Sequence, residues 1–211
     1  MLTVHHLGVS QSERIIWLCE ELGIDYRLVR YDRDPVTRLA PAEYKALHPL
    51  ATAPVITDGD VVLAESGAII DYILAKYGKG RLTVAADAPN FADYLFWLHF
   101  ANGSLVPSAM LEMVGAMLGA AGDAKSFVAA RANNAFAMAE ARLGEVPYFA
   151  GEAFTAADIM LVFSFTTMRA FIPRDLGAYP NIAAYLQRIG ERPAYRAAMA
   201  KGDPDMAPML A

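Results

Sequence analysis

The 211-residue sequence contains a single cysteine, Cys19, and no Cys-x-x-Cys pair. An internal disulfide and dithiol redox chemistry are thereby excluded. Charged residues make up only 19% of the chain, the net charge is −5, and lysines and arginines form no cluster. A nucleic-acid surface needs a basic patch or stripe, so none is expected. The longest apolar run, around Ile159 to Phe165, falls far short of the ~20 residues of a membrane span. The start, MLTVHHLGVS, has neither the charged nor the long apolar region of a secretory signal. His5, His6, His48 and His99 show no ligand spacing with one another or with Cys19, so no metal site is expected. These absences together point to a protein of the reducing cytoplasm, away from membranes.

What is present is a well-filled interior. Hydrophobic residues make up 55% of the chain, enough for one large domain or two smaller ones sharing an interface. Leu2 to His6 reads as a first strand and Gly8-Val9-Ser10 as a loop. Ile15, Leu18, Cys19 and Leu22 then recur at i, i+3, i+4 and i+7, with Glu13, Arg14, Glu20 and Glu21 on the other faces and Gly23 as the stop. Asp25 to Arg30 follows as a second strand, and Val36 to Leu47 as a partly polar helix. Pro54, which cannot donate a ladder hydrogen bond, opens the short strand Val55-Ile56. Asp58-Gly59-Asp60 supplies hairpin turn chemistry, Val61 to Ala64 the return strand, and Ser66 the N-terminus of a helix carrying Ile69, Ile70, Ile73, Leu74 and Tyr77. The order β-α-β-α-β-β-α predicts a thioredoxin-like α/β domain with a four-stranded mixed sheet over 1–78.

A polar break at Gly78 to Arg81 and the Asp87-Ala88-Pro89 start signal place a linker at 79–89. From residue 90 to 211 only helical periods occur, which predicts an all-α C-terminal domain. A helix runs from Phe91 to Met117 with candidate breaks at Gly103 and Pro107, and another from Ala124 to Leu143. Thr155-Ala156-Ala157-Asp158 is a capping-box variant ahead of a helix apolar almost all round, the expected centre of that domain. Asn181 to Arg192 and Pro193 to Ala200 complete it.

Ala53-Pro54, the hairpin, Glu65-Ser66 and the apolar helix, in that order, resemble the glutathione site of the soluble glutathione S-transferases. Phe149 to Ile159, Tyr179-Pro180-Asn181-Ile182 and Arg192-Pro193-Ala194 resemble the helical domain of the same family, so the likeness spans nearly the whole chain. The resemblance implies a cis Pro54, Ala53 pairing by its backbone with the cysteinyl part of glutathione, and Glu65 with Ser66 holding its γ-glutamyl end. It implies a homodimer that needs no cofactor, glutathione being a co-substrate conjugated to a small electrophile. A non-enzymatic ligand- or protein-binding member and a glutathione-dependent peroxidase or reductase are the alternatives.

Activation of the glutathione thiol by about two pKa units takes roughly 2.7 kcal/mol, within reach of a hydroxyl hydrogen bond and a helix N-terminus. Counted back from Gly23, Ser10 matches the catalytic serine of the serine-using members. Ser12 is the alternative, and also reads as a plain N-cap with Glu13 in the first turn. Cys19, on the apolar face, reads as a buried inert thiol. Thr52 stands where family members often carry a cation for the glycyl carboxylate, with Arg38, Lys45 and His48 as candidate replacements. His99 and Asn102, sharing a helical face with Val106, are the expected lining of a second-substrate pocket.

Overall fold

The computed structural model describes residues 1–211. By internal packing the chain parts into two units, Met1–Thr83 with Ile189–Pro208, and Val84–Arg188 with Met209–Ala211.

In the first unit, β1 (Leu2–Leu7), α1 (Glu13–Leu22), β2 (Arg27–Tyr31), α2 (Ala42–Lys45), β3 (Val55–Asp58), β4 (Val61–Ala64) and α3 (Ser66–Ile73) follow the expected order. The four strands form one sheet in the order β2-β1-β3-β4, with β1 and β2 parallel and the other pairings antiparallel. Val4 stands beside Leu28 and Ile56, and Ile56 beside Leu63. Ile15, Ile16, Leu18 and Cys19 of α1 and Ile69, Ile70 and Ile73 of α3 are fully buried, so the two helices bury their apolar stripes together. Gly23 ends α1 in the left-handed conformation (φ 57°), its N–H returned to the carbonyls of Cys19 and Glu20.

Two expectations for this unit need correction. The Val36 to Leu47 stretch is helical only over Ala42–Lys45. Asp34 Oδ1 draws the N–H groups of Val36 and Thr37 into a turn, Arg38 takes a positive φ, and Pro41 begins the short helix afresh. Glu13 and Arg14 were expected on the faces away from the core, yet both are buried.

The boundary also differs from the expected division. Helix α9 (Pro193–Gly202) packs on α1, so Ile189–Pro208 joins the first unit rather than the helical one. The cause is visible in the side chains: Arg192 grips Glu21 through Nε at 2.6 Å and Nη2 at 2.8 Å, Lys201 reaches Glu20 at 2.6 Å, and Tyr195 meets Trp17 edge-on at 5.0 Å.

The second unit is helical: α4 (Phe91–Phe100), α5 (Val106–Met117), α6 (Gly122–Glu145), α7 (Ala156–Phe165) and α8 (Pro180–Glu191), the last running on to the segment that carries α9. All ten residues of α7 are buried. The capping box forms as its sequence implies. Thr155 Oγ1 accepts from the Ala157 N–H, while the Asp158 carboxylate accepts from the N–H groups of Thr155 (2.8 Å) and Phe149 (3.1 Å) and from Tyr185 O–H (3.1 Å). Phe149 is thereby fixed against Trp97, Phe165 and Tyr185.

Candidate functional site

The register of the sheet decides what lies together. Because His5 pairs with Val55 and Val55 with Ala64, the end of β1, the start of β3 and the end of β4 lie at one end of the sheet. The loop bearing Ser10 and Ser12, the Ala53-Pro54 step and the Glu65-Ser66 pair therefore meet at that end. The Ala53–Pro54 bond is cis.

The loop after β1 is held from several sides. Val9 has φ 52°, an unusual conformation for a β-branched residue. The Gly8 N–H donates to Tyr31 O at 2.9 Å, Arg33 donates to the carbonyls of Gly8 (2.8 Å) and Val9 (3.2 Å), and the Val9 N–H donates to Asp203 Oδ1 at 3.0 Å. Non-glycine residues in such conformations persist only where their surroundings over-determine them, and they concentrate at functional sites.

Ser10 and Ser12 lie within that loop, their hydroxyl oxygens 2.7 Å apart. Ser10 O–H donates to Leu7 O at 2.6 Å and Ser10 Oγ accepts from the Ser12 N–H at 3.3 Å. Ser12 stands at the N-cap of α1 but its side chain caps nothing; it turns back to Leu7 N–H (3.1 Å) and to His6 Nδ1 (2.8 Å). Ser12 is fully enclosed, whereas Ser10 keeps 5% of its surface.

Glu65 is exposed and has φ 70°, ψ 119°, a second strained residue and the one that opens α3. Such a conformation costs of order ~1–3 kcal/mol. Ser66, next to it, is buried, and its Oγ accepts from Arg14 Nη1 at 3.3 Å. Arg14 also donates to Gln11 Oε1 at 2.5 Å. Burial pulls the Arg14 guanidinium down to about 9, against the opposing pull of Glu13, so it stays charged at neutral pH. Arg14 was not singled out from the sequence, and neither were His6 and Asp203 as parts of the site. A helical period shows which residues share a face, not which face a second helix covers.

Of the other candidates, Thr52 is exposed beside Ala53, Arg38 and Lys45 are exposed, and His48 accepts the Leu50 N–H at Nδ1. Cys19 is buried, and burial, with Glu20 nearby, pushes its thiol up to about 12. Such a thiol is unsuited to disulfide exchange.

His99 and Asn102 belong to the second unit. His99 is exposed and lines an open, mainly apolar groove of about 430 Å³ with Leu95, Phe96, Phe100, Gly103 and Ser104. The expected shared face with Val106 does not exist. A π turn at Ala101–Leu105 breaks the 3.6-residue phase, leaving Asn102 outside the groove lining and Val106 packed with Ala109, Phe163 and Met168.

The chain is similar to known proteins along most of its length. Residues 10–76 match the N-terminal domain of glutathione S-transferase and residues 113–193 its C-terminal domain. The chain is 32% identical to glutathione S-transferase 3 of Schizosaccharomyces pombe, over 95% of this chain and 88% of that protein. It is 28% identical to glutathione S-transferase 1 of Saccharomyces cerevisiae, over 95% of both. The crystal structure of a glutathione S-transferase from Actinobacillus pleuropneumoniae superposes with a TM-score of 0.89 at 36% identity, covering 100% of this chain and 99% of that one.

Proposed function

Because the chain belongs to the glutathione S-transferase family, and is a glutathione transferase, we propose that it binds glutathione at the end of the sheet where the Ser10 loop, Ala53-Pro54 and Glu65-Ser66 meet. The observation that carries this assignment is the strained, exposed Glu65 set one residue ahead of the buried Ser66 at the start of α3. The Glu65 carboxylate suits the γ-glutamyl ammonium. Ser66, the α3 N-terminus and the Arg14 charge behind Ser66 suit the neighbouring carboxylate. The Ala53 backbone pairs with the cysteinyl amide, and Thr52 offers the glycyl end a hydroxyl in place of a cation.

Ser10 is the thiol-activating group, with Ser12 behind it. A hydrogen bond from the Ser10 hydroxyl and the N-terminus of α1 together stabilise the thiolate over the thiol. The thiolate sulfur then bonds to an electrophilic carbon, and the leaving group departs with its electron pair. Glutathione is consumed in this reaction, as a co-substrate and not as a resident cofactor. The apolar groove beside His99 gives a small electrophile a surface to lie on. The edge strand β4 exposes Val61 and Val62, which supports a homodimer that covers them. A requirement for reduced glutathione suits a cytoplasmic enzyme.

The test pairs calorimetric glutathione binding with conjugation to a halogenated nitroaromatic. Glu65→Ala and Ser66→Ala are expected to weaken binding about tenfold or more, as the loss of a charge-assisted hydrogen bond implies. Unchanged affinity in both would move the site elsewhere.

A further inference from the structure

A buried hydrogen-bond chain runs inward from Ser10. Ser10 Oγ lies 2.7 Å from Ser12 Oγ, Ser12 Oγ 2.8 Å from His6 Nδ1, and His6 Nε2 3.2 Å from Asp203 Oδ2. His6 is fully buried and Asp203 nearly so. The residues come from β1, the loop after it and the end of α9, and Gly202 lets α9 close on them. A Cβ at Gly202 would stand 3.0 Å from Ile16 Cδ1 and 3.2 Å from His6 Nε2.

The donors and acceptors can be counted. Burial alone would raise the Asp203 carboxyl, but the hydrogen bond from His6, the Val9 N–H and the Arg30 charge hold it below the usual range, so it is an anion and accepts only. His6 Nε2 therefore carries a proton. In the neutral ring Nδ1 is then an acceptor, and it takes the one proton of Ser12. Ser12 Oγ is left with two lone pairs, one for the Leu7 N–H and one facing Ser10. The other charged groups near the chain are Arg30, whose Nη2 pairs with Asp32 at 3.1 Å, and Arg33, which donates to the Gly8 and Val9 carbonyls and faces Asp203.

We propose that Ser12, His6 and Asp203 form a proton relay behind Ser10, in which His6 Nδ1 receives the proton that leaves the glutathione thiol. The inference rests on the reading of Ser10 as the thiol-activating hydroxyl. The step balances. The Ser10 hydroxyl first swings its proton from Leu7 O (2.6 Å) to Ser12 Oγ (2.7 Å); the thiol proton then passes to Ser10 Oγ, the Ser10 proton to Ser12 Oγ, and the Ser12 proton to His6 Nδ1. At the end the thiolate accepts from Ser10, Ser10 from Ser12, and Ser12 from an imidazolium whose charge Asp203 opposes. In free solution a thiol titrates about two units above an imidazole, so the transfer would be disfavoured about 100-fold. The Asp203 anion and the new Ser10–thiolate bond act in the opposite direction. His6, Ser12 and Asp203 are thus positioning and relay residues, and Ser10 alone touches the substrate.

The experiment follows where the proton goes. Glutathione is titrated into the enzyme while thiolate is read by ultraviolet absorbance, proton release by calorimetry in buffers of different ionisation enthalpy, and His6 by ¹⁵N resonance of its ring. In the wild type, thiolate forms with little proton release and His6 Nδ1 becomes protonated. S-methylglutathione, which has no thiol proton, leaves Nδ1 unprotonated. Ser12→Ala keeps the His6–Asp203 pair but breaks the relay, so about one proton is released per thiolate formed. Asp203→Asn lowers the thiolate fraction about tenfold or more, as loss of an opposing charge implies. One proton released per thiolate by the wild type, or Nδ1 protonated by S-methylglutathione too, overturns the relay and leaves the Ser10 reading standing. Bound glutathione with no thiolate overturns the Ser10 reading and the relay with it.

Discussion

Arg14 Nη1 lies 3.3 Å from Ser66 Oγ, joining two buried polar groups on α1 and α3 that stand 52 residues apart. Arg14→Ala removes this donor and leaves a void in a packed region. It is expected to cost ~2–4 kcal/mol of stability, measured by urea unfolding, and to weaken glutathione binding. Arg14→Lys restores the charge but not the guanidinium fork, and recovers only part of each loss.

Asp58 ties the hairpin to the helix that follows it. Its carboxylate accepts from Lys76 Nζ (2.7 Å), Tyr77 O–H (2.5 Å) and Tyr72 O–H (3.0 Å). The Lys76 bond, then those of Tyr77 and Tyr72, bring it from 3.8 to about 2 despite desolvation. A carboxyl whose folded pKa lies below its unfolded one stabilises fully above the unfolded value and loses this contribution as pH falls through the folded one. Stability is therefore expected to drop between about pH 4 and pH 2 on this account, and Asp58→Asn to flatten that limb of a pH-dependent unfolding curve.

Cys19, with its thiol pushed up to about 12 by burial, is expected to take no part in turnover. Cys19→Ala is expected to conjugate at the wild-type rate and to lose about 1 kcal/mol of stability to the small cavity left behind. A collapse of activity would point to thiol exchange at this residue.

How legible the molecule was depends on how far apart the interacting residues lie. The hairpin at Asp58-Gly59, the helix start at Ser66, the stop at Gly23 and the capping box at Thr155-Asp158 are written in a few adjacent residues, and all four form. Arg14, in contrast, is buried because α3 brings Ser66 to it, and no local period carries that. The Pro193–Gly202 helix belongs to the first unit because Arg192 and Lys201 find Glu21 and Glu20 across the chain. Asp203 reaches His6 for the same reason. His99 and Val106 part company over a single π turn, a local break in period that composition does not announce.

The central claim is that Ser10 turns bound glutathione into a thiolate. The direct measurement is a pH titration of thiolate absorbance for glutathione bound to the wild type and to Ser10→Ala, with occupancy fixed by calorimetry. The account predicts a bound-thiol pKa about two units below that of the free thiol in the wild type, and a value returned most of the way to free glutathione in Ser10→Ala with binding retained. Equal, lowered values in both proteins would contradict it and remove Ser10 from the mechanism.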